Sequence, residues 1–355
     1  MENLGLIKSF WRDRSVFITG HTGFKGGWLA LWLSKLGANI YGYSMKAPTS
    51  VNFYDSISLK NRFQVSTIGN ILDLKKLEAS MRVAKPSIIF HLAAQSLVSR
   101  SYNDPIETFD TNVIGTANVF QAARQIETVE AIINITTDKC YDNQESNYLY
   151  KEDDRLGGYD PYSSSKACSE LLTSAFRNSF FKKTKVKLAS VRAGNVIGGG
   201  DWAIDRLIPD FFRSIENNDI LKIRSPNSIR PWQHVFEPLS GYLILAQKMV
   251  INNEDFGEAW NFGPEESDCK SVSWILNLLQ KKFKKARWQY NSSEKFHESN
   301  VLKLDSSKAK SKLGWVPRWS LETAIKKTSE WYEARNCNEM MEEFSLKQLQ
   351  EYEIS

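Results

Sequence analysis

The sequence predicts an α/β protein: a doubly wound parallel sheet with a smaller mixed α/β lobe. Three observations carry this. Short apolar runs alternate with helical patterns through the first half of the 355 residues, and a glycine triplet, Gly20, Gly23 and Gly26, directly follows the first run. After about residue 192 the rhythm breaks, with Pro209, Pro226, Pro231, Pro238, Pro264 and Pro317 separating short elements. The division that follows is a first domain over 1–192 and a lobe over 193–355, from which segments can return to the first domain. Strand, glycine turn and helix in this order make the first domain Rossmann-type.

The expected strands are "SVFIT" (15–19), "NIYGYS" (39–44), "QVSTIG" (64–69), "SIIFHLA" (87–93), "AIINIT" (131–136) and "VKLASVR" (186–192). Most are short and apolar, as strands covered on both faces require. Between the first two, Trp28, Leu29, Leu31, Trp32, Leu33 and Leu36 recur at helical spacing before a Gly37 stop. Residues 104–124 and 162–182 also read as helices.

In "SVFITGHTGFKGGW" the glycines sit after a strand and at a helix start, the context in which backbone amides and the helix dipole grip a pyrophosphate. A tight turn for helix packing is the plainer reading of a glycine triplet alone. The acid expected at the end of the second strand, to hold the adenosine ribose, is absent. Ser44 stands there with Lys46 close behind, which predicts loose cofactor binding and weakens the choice of NAD over NADP. Asp73, in "NILDL", accepts from an adenine amino group or caps a helix.

Composition narrows the function. Apolar residues make up 42% and charged ones 25%, a globular balance, and no segment reaches the roughly 18 apolar residues of a membrane span. The opening "MENLGLIKSFWRDR" lacks the apolar stretch of a secretory signal, so a cytoplasmic location is expected, without membrane partners. Cys140, Cys168, Cys269 and Cys337 are scattered and expected as reduced thiols, and no metal site is expected. A formal charge of +5 spread along the chain argues against nucleic acid and suits an anionic small substrate. The basic run 281–288 reads as a solvated helix face and turn.

Tyr162 and Lys166, in "YDPYSSSKACSE", stand four apart on an expected helix and share a face. An ammonium there stabilises a phenolate and draws the tyrosine pKa toward neutrality, making a base for a sugar hydroxyl; alone, the pair is as well read as a surface pair. "HLAAQ" (91–95) and "NITTDK" (134–139) leave the fourth and fifth strands toward the crevice where a nicotinamide would lie. In the second, Thr137, Asp138 and Lys139 offer a hydroxyl, an acid and a base side by side.

With "DTNVIGT" (110–116) and "LDSSKAKSKLGWVP" (304–317), these stretches make the chain resemble the extended short-chain dehydrogenase/reductase family over nearly its whole length. "TGHTGFKG", "TTDKCYDN", "RAGNVIGGGDWAIDRLIPD" and "RPWQHVFEPLSGYL" narrow the resemblance to nucleotide-sugar 4,6-dehydratases of the branch that takes CDP-glucose. The resemblance implies a hydro-lyase with NAD regenerated at each turnover, serving deoxysugar and surface-polysaccharide synthesis. It assigns Gly20, Gly23, Phe24, Lys25, Gly26, Ser44, Asp73, Leu92, Ala93, Ala94, Tyr162 and Lys166 to the cofactor. Gln95, Asn195, Arg206 and Arg230 go to the sugar nucleotide. By the same carry-over Thr137 holds the carbon 4 oxygen, Asp138 is the acid, and Lys139 is the base or stabilises the enolate, although an Asp138–Lys139 ion pair would disable both roles. Arg230, flanked by Pro231 and Trp232, matches the diphosphate-binding arginine; Arg206 is equally read as a surface cation. Trp202 is a candidate to border the sugar or base, and His234 is expected to be structural. A homodimer or higher homo-oligomer is the family expectation. Two alternatives stay open: a related epimerase or other nucleotide-sugar dehydratase, and a dinucleotide sensor without catalysis.

Overall fold

The computed structural model describes residues 4–252, 254–291 and 300–355. Its central sheet contains β1 (Ser15–Thr19), β2 (Asn39–Ser44), β3 (Val65–Ile68), β4 (Ile88–His91), β5 (Ala131–Ile135), β6 (Lys187–Ala193) and β7 (Ala259–Phe262). The spatial order is β7-β6-β5-β4-β1-β2-β3, and every neighbouring pair is parallel. Because the chain winds outward in both directions from β1 and β4, a crevice opens at their C-terminal ends. β4 and β5 are buried at every position, which is why they read as unbroken apolar runs.

The helices that matter here are α1 (Phe24–Leu36), α2 (Leu74–Ala84), α3 (Gly115–Ala123), α4 (Pro161–Phe176), α5 (Leu207–Glu216), α6 (Phe236–Ile251), α7 (Leu321–Asn336) and α8 (Met341–Ile354). α1 is apolar all round because it is covered on both sides, by the sheet and by the C-terminal helices. Its tryptophans satisfy their N–H groups inside the core: Trp28 Nε1 donates to the Gly199 carbonyl at 2.8 Å and Trp32 Nε1 to Glu353 Oε1 at 3.0 Å. Gly37, at φ +88°, ends the helix by donating to the Leu33 and Ser34 carbonyls.

The seventh strand is new relative to the sequence reading. "AWNF" adds β7 to the sheet edge with Ala259 opposite Ser190 and Phe262 opposite Ala193. α6 packs on β5 and β6, and one apolar cluster runs from Val16 and Trp28 to Trp260, Trp331 and Leu349, so residues beyond 192 share the core of the sheet. Pro209 and Pro238, read as separators, instead lie in the first turns of α5 and α6, where a missing N–H costs no helical hydrogen bond. The expected helix at 104–124 contains a π-helical stretch, Asp110–Ile114. Asn112 within it donates to the Gln95 carbonyl and to Ser165 Oγ, both at 2.9 Å, tying that stretch to the β4 exit and to α4.

Candidate active site

The glycine turn forms where β1 gives way to α1. Gly20 has φ +77°, and a Cβ on it would lie 2.7 Å from the Ala93 nitrogen; one on Gly26 would lie 2.2 Å from the Gly20 carbonyl oxygen. Only glycine allows the turn to close against the β4 exit with α1 starting beneath it. Thr19 secures the junction by accepting from the Ala93 N–H at 3.2 Å and meeting His91 Nδ1 at 2.7 Å. His91 Nε2 lies 3.0 Å from Thr116 Oγ1, whose own proton goes to the Asn112 carbonyl, so the imidazole proton is on Nε2. Burial, helped by the Lys166 cation, lowers the His91 pKa to about 3 and keeps the ring neutral.

A continuous cavity of about 1140 Å³ runs from this turn along the strand ends. Gly20, Gly23, Phe24, Lys25, Gly26, Leu92, Ala93 and Ala94 line it, a cradle of glycine backbone and helix N-terminus that fits a dinucleotide pyrophosphate. Ser44 lines one end with Lys46, its hydroxyl 2.8 Å from that of Thr22. Asp73 falls outside the lining. Its Oδ1 accepts the Lys76 N–H at 3.0 Å as the N-cap of α2, the capping alternative.

At the end of β5 the chain makes one tight turn, Asp138–Cys140, capped by Thr137. The Thr137 hydroxyl donates to Asp138 Oδ1 at 3.0 Å, and Lys139 Nζ lies 3.5 Å from the same oxygen. Asp138 is buried, with no hydrogen-bond partner on Oδ2, whereas the Lys139 side chain stays 28% exposed. The expected ion pair is therefore long and one-sided. Facing this turn, Asp160 caps α4 through the Ser163 N–H at 2.9 Å, which sets Tyr162 and Lys166 on the buried face of the first two turns. Lys166 Nζ donates to the Ile135 carbonyl at 3.1 Å, pinning the helix to the strand end. Thr137, Asp138, Lys139, Tyr162 and Lys166 all line the cavity.

Electrostatics corrects one expectation. Burial raises the Tyr162 pKa to about 12, against a hydrogen bond with Thr137, with Asp138 and Asp160 raising it further and Arg206 lowering it. Lys166, buried as deeply, falls to about 8 because desolvation outweighs the attraction of Glu170. The lysine alone thus does not bring the phenol toward neutrality. Lys25 falls to about 7, first through desolvation and then through Arg206 and Lys166, with Asp138 opposing.

Gln95, Asn195, Arg206 and Arg230 also line the cavity, in different states. Gln95 is engaged within its own loop, donating to the Leu97 carbonyl at 3.0 Å and Thr108 Oγ1 at 2.9 Å and accepting from the Leu97 N–H at 2.6 Å. Asn195 Oδ1 is buried without a hydrogen-bond partner. Arg206 bonds Asp201 at 2.8 Å and Ser96 Oγ at 3.0 Å. Arg230 is buried and donates to its neighbour's carbonyl, Ile229, at 3.0 Å. Trp202 lines the cavity and packs edge-on against Tyr332 at 5.4 Å. His234 is buried outside the lining, accepting the Phe236 N–H at 3.3 Å. Sequence reading missed Lys222, on a short strand, Ile220–Ile223, and Arg224 directly after it, which line the same cavity; for Lys222 the alternation in "ILKI" was the available signal. Among the described residues no group of three or more His, Cys, Asp or Glu is placed to hold a metal ion.

Comparison with known proteins gives a consistent picture. The family model described as GDP-mannose 4,6 dehydratase matches residues 17–328. A CDP-glucose 4,6-dehydratase of Salmonella typhimurium is 49% identical over 351 residues, covering 97% of this chain and 98% of that protein. Among solved structures, an epimerase of Methanothermobacter thermautotrophicus superposes with a TM-score of 0.81 at 22% identity, covering 95% of this chain and 96% of that one. A dTDP-glucose 4,6-dehydratase of Bacillus anthracis in complex with NAD superposes with a TM-score of 0.73 at 20% identity, covering 90% and 96%.

Proposed function

The chain belongs to the GDP-mannose 4,6 dehydratase family, within the extended short-chain dehydrogenases/reductases, and from this premise we propose that it converts CDP-D-glucose to CDP-4-keto-6-deoxy-D-glucose and water. The reaction is oxidation at carbon 4, elimination across carbons 5 and 6, and reduction at carbon 6. The cytidine diphosphate is supported by the near full-length Salmonella relative. The observation that carries the chemistry is an acid and an amine, Asp138 and Lys139, on the same cavity wall as Tyr162 and Lys166. An epimerase has no elimination to perform, and a sensor needs none of the four.

NAD, when bound, would supply the hydride acceptor for carbon 4 and the hydride donor for carbon 6. The residues fit it: the Gly20–Gly26 turn would hold the pyrophosphate and Leu92–Ala94 would flank the ring. Tyr162 takes the carbon 4 hydroxyl proton, with the Lys166 and Arg206 cations favouring the phenolate and Thr137 holding the oxygen. The ketone then acidifies carbon 5. Asp138 gives its proton to the departing carbon 6 hydroxyl, and Lys139 accepts the carbon 5 proton or stabilises the enolate. As carbon 6 is reduced Lys139 returns its proton to carbon 5, and the carbon 4 proton held by Tyr162 passes back to Asp138, so that all three groups end as they began. Arg206 and Arg230 grip the diphosphate, with Asn195 beside them. Gln95, largely engaged within its loop, contributes a carbonyl contact at most.

The product feeds deoxysugar synthesis for surface polysaccharide in the cytoplasm. No described helix is long and apolar enough to cross a membrane, and the described cysteines are free thiols. Two copies pair through the outer faces of 104–124 and 161–181, where Ile106, Ile114, Leu171 and Phe180 are exposed. The deciding experiment incubates the protein and catalytic NAD with CDP-glucose, beside dTDP-glucose, UDP-glucose and GDP-mannose, and follows mass. Loss of one water from CDP-glucose alone, without net NADH, is expected. Loss from another nucleotide sugar alone would overturn the cytidine assignment, and loss from none would overturn the dehydratase.

A further inference from the structure

Behind the cavity wall lies a buried ion pair. Glu170, on α4, and Arg192, on β6, are each 3% exposed and meet at 2.8 Å. Neither lines the cavity. A buried pair is not a reliable source of stability, since desolving two charges offsets their attraction. Its value here lies in what it holds.

Glu170 accepts from Thr136 Oγ1 at 2.5 Å and from Ser190 Oγ at 2.6 Å. Arg192 donates to the Tyr141 hydroxyl at 2.8 Å and to the Glu152 carbonyl at 2.9 Å. Tyr141 passes its own proton to Asn261 Oδ1 on β7 at 2.7 Å, and Asn261 donates back to the Tyr150 carbonyl at 2.8 Å. Thr136 and Tyr141 are the residues that bracket Thr137, Asp138, Lys139 and Cys140. Both ends of the turn are therefore fastened to one guanidinium–carboxylate pair.

The same carboxylate acts on Lys166, one turn away on the same face of α4. The groups around Lys166 are Tyr162 and Glu170 on its own helix, Cys140 on the turn, Lys25 at the start of α1 and the neutral His91 at the end of β4. Of these, Glu170 is the one carboxylate, and its charge favours the ammonium.

We propose that Glu170 and Arg192 are positioning residues of the dehydratase: together they clamp the Thr137–Cys140 turn at both ends, and Glu170 holds Lys166 in its charged form. The proposal rests on the reaction assigned above. It explains why a chain that places chemistry on a short turn also carries a charge pair behind it, since misplacing a catalytic group by about 1 Å costs on the order of 100-fold in rate.

Two variants separate the two roles. Tyr141→Phe removes one clamp bond without unpairing a charge. It is expected to lower kcat for CDP-glucose roughly 10-fold with KM changed less than about twofold, to leave the alkaline limb of the pH profile in place, and to speed amide exchange in 137–140. Glu170→Gln removes the charge that raises the Lys166 pKa, so Lys166 loses its proton at lower pH and the alkaline limb moves down by about one unit. If Glu170→Gln does not fold, Glu170→Gln with Arg192→Met, which leaves no unpaired charge, reads the same limb; Glu170→Asp should restore it. Wild-type kcat and exchange in Tyr141→Phe would overturn the clamp. An unmoved limb in a folded variant lacking the Glu170 charge would overturn the electrostatic role. Absence of turnover by the wild type would sink the reaction assignment instead, and the exchange measurement would still decide the clamp.

Discussion

At Tyr162, burial together with the Asp138 and Asp160 carboxyls holds the phenol near 12, while Thr137 and Arg206 pull the other way. A base with so high a pKa works only where positive charge gathers as the substrate proton leaves, which ties its use to the loaded site and protects the free enzyme from an exposed phenolate. Tyr162→Phe should lower turnover by on the order of 100- to 10,000-fold, measured as water loss from CDP-glucose, because it removes the phenol oxygen that accepts the carbon 4 proton. Full turnover by that variant would remove Tyr162 from the oxidation. Lys139 acts later. Lys139→Ala should still oxidise the sugar, so a single turnover should show reduced cofactor accumulating while water loss slows roughly 100-fold. Unchanged overall turnover would exclude Lys139 as an essential group. The contact between Lys139 and Asp138, at 3.5 Å and confined to one carboxylate oxygen, is weak enough for the amine to leave it for substrate.

At the scale of elements, the β1–α1 turn and the starts of α2 and α4 were legible because their chemistry is local: a glycine with φ +77° must be glycine, and Asp73 and Asp160 cap helices within four residues. Strands buried on both faces announce themselves as apolar runs. β7 did not, since four residues including a polar Asn261 carry little pattern, and its place is fixed by pairing with β6 nearly 70 positions earlier. Two substitutions test the cofactor end. Ser44→Asp places a carboxylate at the end of β2, where a ribose would lie, and should tighten NAD binding roughly tenfold by calorimetry, one charge-assisted hydrogen bond less its desolvation. An unchanged or weaker affinity would move the ribose elsewhere. Asp73→Ala should cost roughly 1 kcal/mol of stability through the lost cap of α2 and leave NAD affinity alone. A severalfold loss of affinity would restore the adenine contact.

Across the whole molecule, the residues that build the site come from strand ends far apart in sequence, and their motifs were readable; the groups behind them were not. Glu170 follows Lys166 at the same spacing that linked Tyr162 to Lys166, but nothing local says that it meets Arg192, and Glu237 gave no signal in "RPWQHVFEPLSGYL". Glu237 joins three distant parts. Its Oε1 accepts the Trp319 N–H at 2.8 Å, and its Oε2 accepts the Arg318 N–H at 3.0 Å and the Tyr352 hydroxyl at 2.8 Å, tying α6 to the 318–319 turn and to α8. Burial nevertheless raises its pKa from 4.5 to about 7. The folded protein thus keeps a proton that the unfolded chain gives up. The stability linked to this proton is complete below the unfolded value and is lost as pH rises through about 7. A gap of that size corresponds to at most roughly 3 kcal/mol. Glu237→Gln does not titrate, so urea unfolding should show the wild type losing stability relative to the variant between about pH 5 and pH 8, in the direction this linkage requires. A difference that stays flat across that window would mean that the three donors hold Glu237 ionised, with α8 fastened by a carboxylate at every pH.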